Sequence, residues 1–398
     1  MVVFDNHFQK FLFLISWAIT YQILSASIIY AEPYIPNNDS IVLETLPASG
    51  NSDIQELRQL RNKLSNTPTD LALAVELAQK YLQIGHTMAD PRYDGYAQAA
   101  LQPWWNMAQP PPEVLLLRAI LRQRRHDFNL ALNDLHQVLQ IQPNNSQAWL
   151  TQSVIHQVRG HYQDAHQSCL PLLRLSGALI AISCIANVAS LNGNAQKSYL
   201  ALQKIVENDA VSAPQEKLWA LTILAETATR LGKNSEAEQY FKAAFAVDRR
   251  DVYLLGAYCD FLLDQGRTKE VQTLLKHMTQ HDGLLLRLAL AEQQIQAPTY
   301  EKYIEELKTR FAANRMREEA QHLRDESRFT LHLLHQPKQA LELAQKNWHI
   351  QREPWDARIL LEAALKNNDR SAAQPVLDWL MSVNLEDVQL AKLAKELL

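Results

Sequence analysis

The sequence predicts an all-α chain built as a stack of antiparallel helix hairpins. Three observations predict it. A unit of 34 residues recurs in one frame, glycines punctuate that frame at matching places, and no segment is β-rich. The chain has 398 residues, 47% of them apolar and 21% charged, so one undivided core is too small a plan for it. Its net charge is -4 and no block of basic residues stands out, which excludes a nucleic-acid footprint.

The clearest unit is PEVLLLRAILRQRRHDFNLALNDLHQVLQIQPNN, from Pro112 to Asn145, followed by SQAWLTQSVIHQVRGHYQDAHQSCLPLL. Leu115 falls opposite Trp149, Ala119 opposite Ser153, Phe128 opposite Tyr162 and Ala131 opposite Ala165, each 34 residues apart. Gly160, Gly193, Gly232 and Gly266 mark one turn of the frame, and Gly85 marks it earlier. Ser198, Ala237 and Val271 continue the small position of Ala131 and Ala165, with a longer connection around 208–214. Small residues let the two helices of a hairpin lie close, large apolar ones fill the space beside them, and glycine ends the first helix with φ > 0. One hairpin cannot bury its own apolar face, so such units stack.

The segments HDFNLAL…LQIQPNN, GHYQDA and GKNSEAEQYFKAAFAVD resemble tetratricopeptide repeats, and the resemblance covers roughly residues 53–276. It implies a right-handed superhelical α-solenoid whose inner face is lined by the first helix of each hairpin. Carried over position by position, that face contains Leu116, Ile120 and Arg124, then Leu150 and Val154, then Asn187, Glu226, Arg230 and Asp260. Chaperone-binding members use lysines there to hold a C-terminal carboxylate. No Lys occupies the corresponding fifth and ninth positions here, so that clamp is not expected. Leu116, Ile120, Leu150 and Val154 suit an apolar or amphipathic helix or an extended peptide. The expected function is a non-catalytic scaffold for a protein or peptide partner, with no cofactor, metal or nucleic acid. The alternative is an assembly factor of a cell-envelope complex that self-associates through its C-terminal helices.

Along the chain, Lys10 precedes a mostly apolar run, Phe11–Tyr30, which ends at Ala31 before Glu32-Pro33. Residues 1–31 read as a signal peptide or, uncleaved, as an N-terminal membrane anchor through 11–30. The expected location is the periplasm, or the inner membrane if the anchor is kept. Residues 32–52 read as a linker, 53–281 as the repeat array, and 282–398 as a degenerate helical-repeat region closed by a capping helix from Leu385. Residues 86–95 read as an insertion between helices, and 299–334 as one long charged helix.

No phosphate-loop, dinucleotide, nucleophile-elbow or zinc-protease motif is present. The pairs His277/His281 and His332/His335 have metal-compatible spacing but no third ligand, and 13 histidines make such pairs ordinary. Cys169, Cys184 and Cys259 are an odd set. Either all three are small packing residues, or Cys169 and Cys184, on consecutive helices, form a disulfide.

Overall fold

The computed structural model describes residues 52–88, 90–316 and 322–397, and its regular elements are all helices. The leader and linker expected before residue 52 lie outside the described residues. None of the described helices is long and apolar enough to cross a membrane.

Helix α1 (Ser52–Asn66) packs on α2 (Leu71–Met88), and α2 on α3 (Arg92–Ala100), which the single turn α4 (Gln102–Trp105) follows. Hairpins then succeed one another: α5 (Pro112–Arg124) with α6 (Phe128–Ile141), and α7 (Ser146–Val158) with α8 (Tyr162–Cys169) and the short α9 (Leu172–Leu175). Next come α10 (Ala178–Ser190) with α11 (Ala195–Asn208), α12 (Pro214–Arg230) with α13 (Asn234–Val247), and α14 (Val252–Asp264) with α15 (Thr268–Leu275). The last are α16 (Asp282–Gln294) with α17 (Tyr300–Met316), α18 (Leu323–His332) with α19 (Pro337–Ile350), α20 (Pro354–Asn367) with α21 (Arg370–Val383), and finally α22 (Val388–Leu397). Starts are set locally. Pro112, Pro214 and Pro354 open helices with φ already fixed, and Asn145 and Asp251 cap theirs by accepting the amides of Ala148 and Leu254.

The first helices α5, α7, α10, α12, α14, α16, α18, α20 and α22 pack on one another in one unbroken row, so packing does not break at residue 281. The reason is visible at the turns. His126, Gly160, Gly193, Gly232, Gly266, Gln296, His335 and Asn368 each sit at a hairpin turn with φ between 51° and 75°. The C-terminal hairpins repeat the same turn with Gln, His and Asn in place of Gly, which hid them from a glycine-based frame. The small positions hold too: Ala119, Ala131, Ala165, Ala225, Ala237, Cys259, Ala340 and Ala373 are fully buried. Ser153 donates to the Ala165 carbonyl at 2.9 Å, and Ser327 donates to the Ala340 carbonyl at 2.8 Å, the same bond in hairpins far apart in sequence.

Three expectations are corrected. Gly85 is not a turn: it lies buried inside α2, and a Cβ there would stand 2.8 Å from Cβ of Tyr93. Its role is close approach of α3, beside a cluster of Tyr81, Tyr93 and Tyr96. Residues 86–95 are therefore mostly helix, α2 running on to Met88 and α3 starting at Arg92. The stretch 299–334 is two helices, α17 and α18, and α18 belongs to the next hairpin.

The tail also does more than close the row. Arg352 N donates to the Val158 carbonyl at 2.7 Å, and the Glu386 carboxylate accepts the amides of Ala195 and Gln196 at the start of α11. One apolar cluster joins Tyr162, Cys184 and Leu191 to Trp348, Leu360, Trp379 and Leu390. Thus the last hairpin and α22 return to the turns of the second, third and fourth hairpins.

Cys169 and Cys184 form a disulfide linking α8 to α10, and Cys259 is a buried free thiol that burial pushes up to about 12. Closing a loop of this size stabilises by about 3 kcal/mol in the chain-entropy account. Labelling of the denatured, unreduced chain should find one thiol, and three after reduction; three before reduction would exclude the bridge. Gly266→Ala should cost about 1–2 kcal/mol through left-handed strain alone, since nothing lies near its missing Cβ. Gly193→Ala should cost more, because that Cβ would also meet Asn384 at 3.2 Å. Equal losses in chemical denaturation would show that the returning tail does not bear on this turn.

Candidate functional site

The inner row and the returning C-terminal hairpins leave a cleft between them with two adjoining lobes, of about 140 and 460 Å³. Glu226, Tyr253, Asp260, Arg324, Glu353 and Trp355 line both lobes. Of the residues expected on the inner face, the cleft gathers Asn187, Glu226, Arg230 and Asp260. It does not gather the others. Leu116 and Ile120 are half-buried against the cores of the first hairpins, and Leu150 packs on the cluster that holds the returning tail. Val154 is half-buried, and Arg124 is bonded to Asp94 at 2.8 Å.

Helix α14 supplies the acidic wall. Asp260, 3% exposed, takes Arg287 and Arg328 at 2.6 Å each. Asp264 takes Arg358 through two bonds of 2.7 Å. Between these arginines lies the Trp355 ring, with Arg328 4.4 Å from its centroid and Arg358 4.3 Å. Arg358 also bonds Glu362 at 2.8 Å, and Glu362 meets His332 at 2.9 Å. Arg324 joins Asp356 and Glu353, which form a reciprocal capping box at the start of α20. Burial alone would raise the Asp260 carboxyl. Arg287 and Arg328 outweigh it, so its pKa falls below the usual carboxylate range. Glu362 is likewise held at about 2: burial opposes this, and His332 and Arg358 overcome it.

Two cleft groups stand apart from these ion pairs. Glu226 accepts a hydrogen bond from Tyr253 Oη at 2.8 Å, and enclosure raises its pKa. Tyr253 is 60% exposed by surface yet lines both lobes, so its exposure is to the cleft. Arg230 donates to Ser190 and Thr227 at 2.7 and 3.2 Å, its Nε is buried without a partner, and no carboxylate among the described residues pairs with it. In the second lobe, His126 is stacked on Phe128, its Nδ1 lacks a partner, and burial lowers its pKa to about 4, so it is neutral near pH 7. No Ser, Cys or Lys is among the lining residues of either lobe.

Sequence reasoning missed Arg324, Glu353, Trp355 and Arg358. The signal was present: they belong to first-helix segments that the turns at His335 and Asn368 would have framed.

No protein-family model matches the chain, and no curated protein matches it. Among solved structures, a tetratricopeptide repeat protein from Parabacteroides merdae is similar at 17% identity and TM-score 0.41, over 64% of this chain and 91% of that one. The TPR domain of P58(IPK) is similar at 16% and 0.23, over 83% and 97%. The APC/C hetero-tetramer Cut9-Hcn1 is similar at 13% and 0.31, over 87% and 88%.

Asp260→Asn leaves two buried arginines without their shared carboxylate and should destabilise by about 3–5 kcal/mol. The acid limb has a definite sign. Asp260 and Glu362 have folded pKa values below their unfolded ones, near 3.9 and 4.3, so their stabilisation is complete only above about pH 5.5. It is lost as pH falls through the folded pKa values, which for Glu362 is about 2. Urea midpoints measured between about pH 2 and 6 on the parent chain and Asp260→Asn check both effects; a flat profile would contradict them.

Proposed function

We propose that the chain is a non-catalytic protein-interaction scaffold that takes a peptide segment of a partner into the cleft between its inner helix row and its own seventh and eighth hairpins. The observation that carries this reading is Arg230. A guanidinium that lines the cleft beside Asn187 and Gln157, held by Ser190 and Thr227 and paired with no carboxylate among the described residues, is arranged to receive hydrogen-bond acceptors from outside the chain. Glu226 and Tyr253 offer an acceptor and an aromatic face on the same wall. These groups match a peptide, which carries carbonyls, amides and side chains in alternation. The proposal leaves Leu116, Ile120, Leu150 and Val154 to hairpin packing.

We also place the protein outside the cytoplasm, in the periplasm or held to the inner membrane through residues 11–30. Two features support this: the apolar leader-like run in the sequence, and a Cys169–Cys184 bridge of the kind oxidising compartments maintain.

Peptides selected from a displayed random library against the full chain should bind it in fluorescence anisotropy. Arg230→Gln with Asn187→Ala should weaken that binding by on the order of 10-fold or more, since each hydrogen bond to a charged group is worth about 1.5–3 kcal/mol. Thermal unfolding should change little. Selected peptides that bind the double variant as tightly as the parent chain would place the binding surface elsewhere.

A further inference from the structure

We propose that His156, His161 and Asp164 form a site for a divalent transition metal, zinc above others, at the turn between α7 and α8. One ligand atom from each lies within 4.8 Å of the other two. The backbone holds them in place: His161 N donates to the His156 carbonyl at 2.8 Å, Ala165 N to the His161 carbonyl at 2.9 Å, and Gly160 turns the chain between the histidines at φ 75°. The two imidazole rings are 6.1 Å apart and inclined by 37°.

A second observation points to a ligand. Nδ1 of His156 is closed off from solvent and has no hydrogen-bond partner among the described residues. A buried polar atom left so is costly unless something outside the protein meets it. Two imidazoles and one carboxylate suit zinc, whereas calcium and magnesium favour all-oxygen sets. Zinc–nitrogen and zinc–oxygen bonds of about 2.0–2.2 Å require the ligands to draw inward. His161 and Asp164 are exposed and able to rotate to do so. The fourth position then belongs to water or an exchangeable ligand. Arg159 and Arg352 lie close enough to oppose a cation, which sets the expected affinity in the micromolar range rather than tighter. The other histidine pair with a defined partner differs: His332 is engaged by Glu362 at 2.9 Å.

The test is calorimetric titration of the full chain with zinc chloride, with cobalt(II) as an optical probe. One equivalent should bind at micromolar concentration, and cobalt should give the visible band of a four-coordinate site. His161→Gln and Asp164→Asn, both at exposed positions, should leave the helical circular dichroism unchanged. Each should weaken binding by on the order of 10-fold or more and abolish the cobalt band. Absence of heat and band below millimolar metal would overturn the proposal. So would undiminished binding in the double variant, which would assign the metal to other histidines.

Discussion

Asp260 and Asp264 stand one helical turn apart on α14, and the last third of the chain is organised around them. A carboxylate as buried as Asp260 is expensive to ionise unless its charge is met directly, and here it is met twice, by Arg287 from the next hairpin and Arg328 from the one after. Asp264 fixes Arg358 from α20 in a two-bond fork. With Trp355 within cation–π distance of both Arg328 and Arg358, three consecutive first helices, α16, α18 and α20, are held at set positions relative to α14. Apolar packing could bring these helices together in several arrangements. The forked ion pairs select one.

That selection decides what the inner face becomes. An array of hairpins left open would present its inner side chains along its whole length. In this chain the eighth hairpin and α22 return to the turns near Gly160, Gly193 and Gly232, and the apolar cluster around Trp348 and Trp379 is shared between early and late helices. What is left is a bounded cleft in which most charges are already matched, while among the described residues Arg230 has no carboxylate partner and Glu226 is met by the Tyr253 hydroxyl.

The helices from residue 71 to 275 were legible because their signals are local: apolar spacing, proline starts and small residues at hairpin contacts. The glycine frame was legible at residues 160, 193, 232 and 266, where a left-handed turn coincides with the residue that adopts it most easily. It misled at Gly85, where the glycine serves close helix approach. It was silent at Gln296, His335 and Asn368, where other residues take the same backbone conformation. The candidate site was half legible for a related reason. Asn187, Glu226, Arg230 and Asp260 follow from their places in the repeat. Arg328 reaches Asp260 from 68 residues away and Arg358 reaches Asp264 from 94, separations that no local pattern encodes.

The bond between Glu386 and the start of α11 spans 191 residues. Hairpins that touch only their neighbours can begin to form anywhere in the row and spread to the next by short-range contacts. A contact of this reach obeys a different schedule, because the loop it closes must be paid for in entropy before the contact exists. The early hairpins rest on contacts between sequence neighbours, whereas one wall of the cleft depends on residues near Glu386 meeting helices far earlier in the chain. Removing residues 386–397 would leave the earlier hairpins their own neighbour contacts while taking Asp387, Gln389 and Leu390 from the cleft wall.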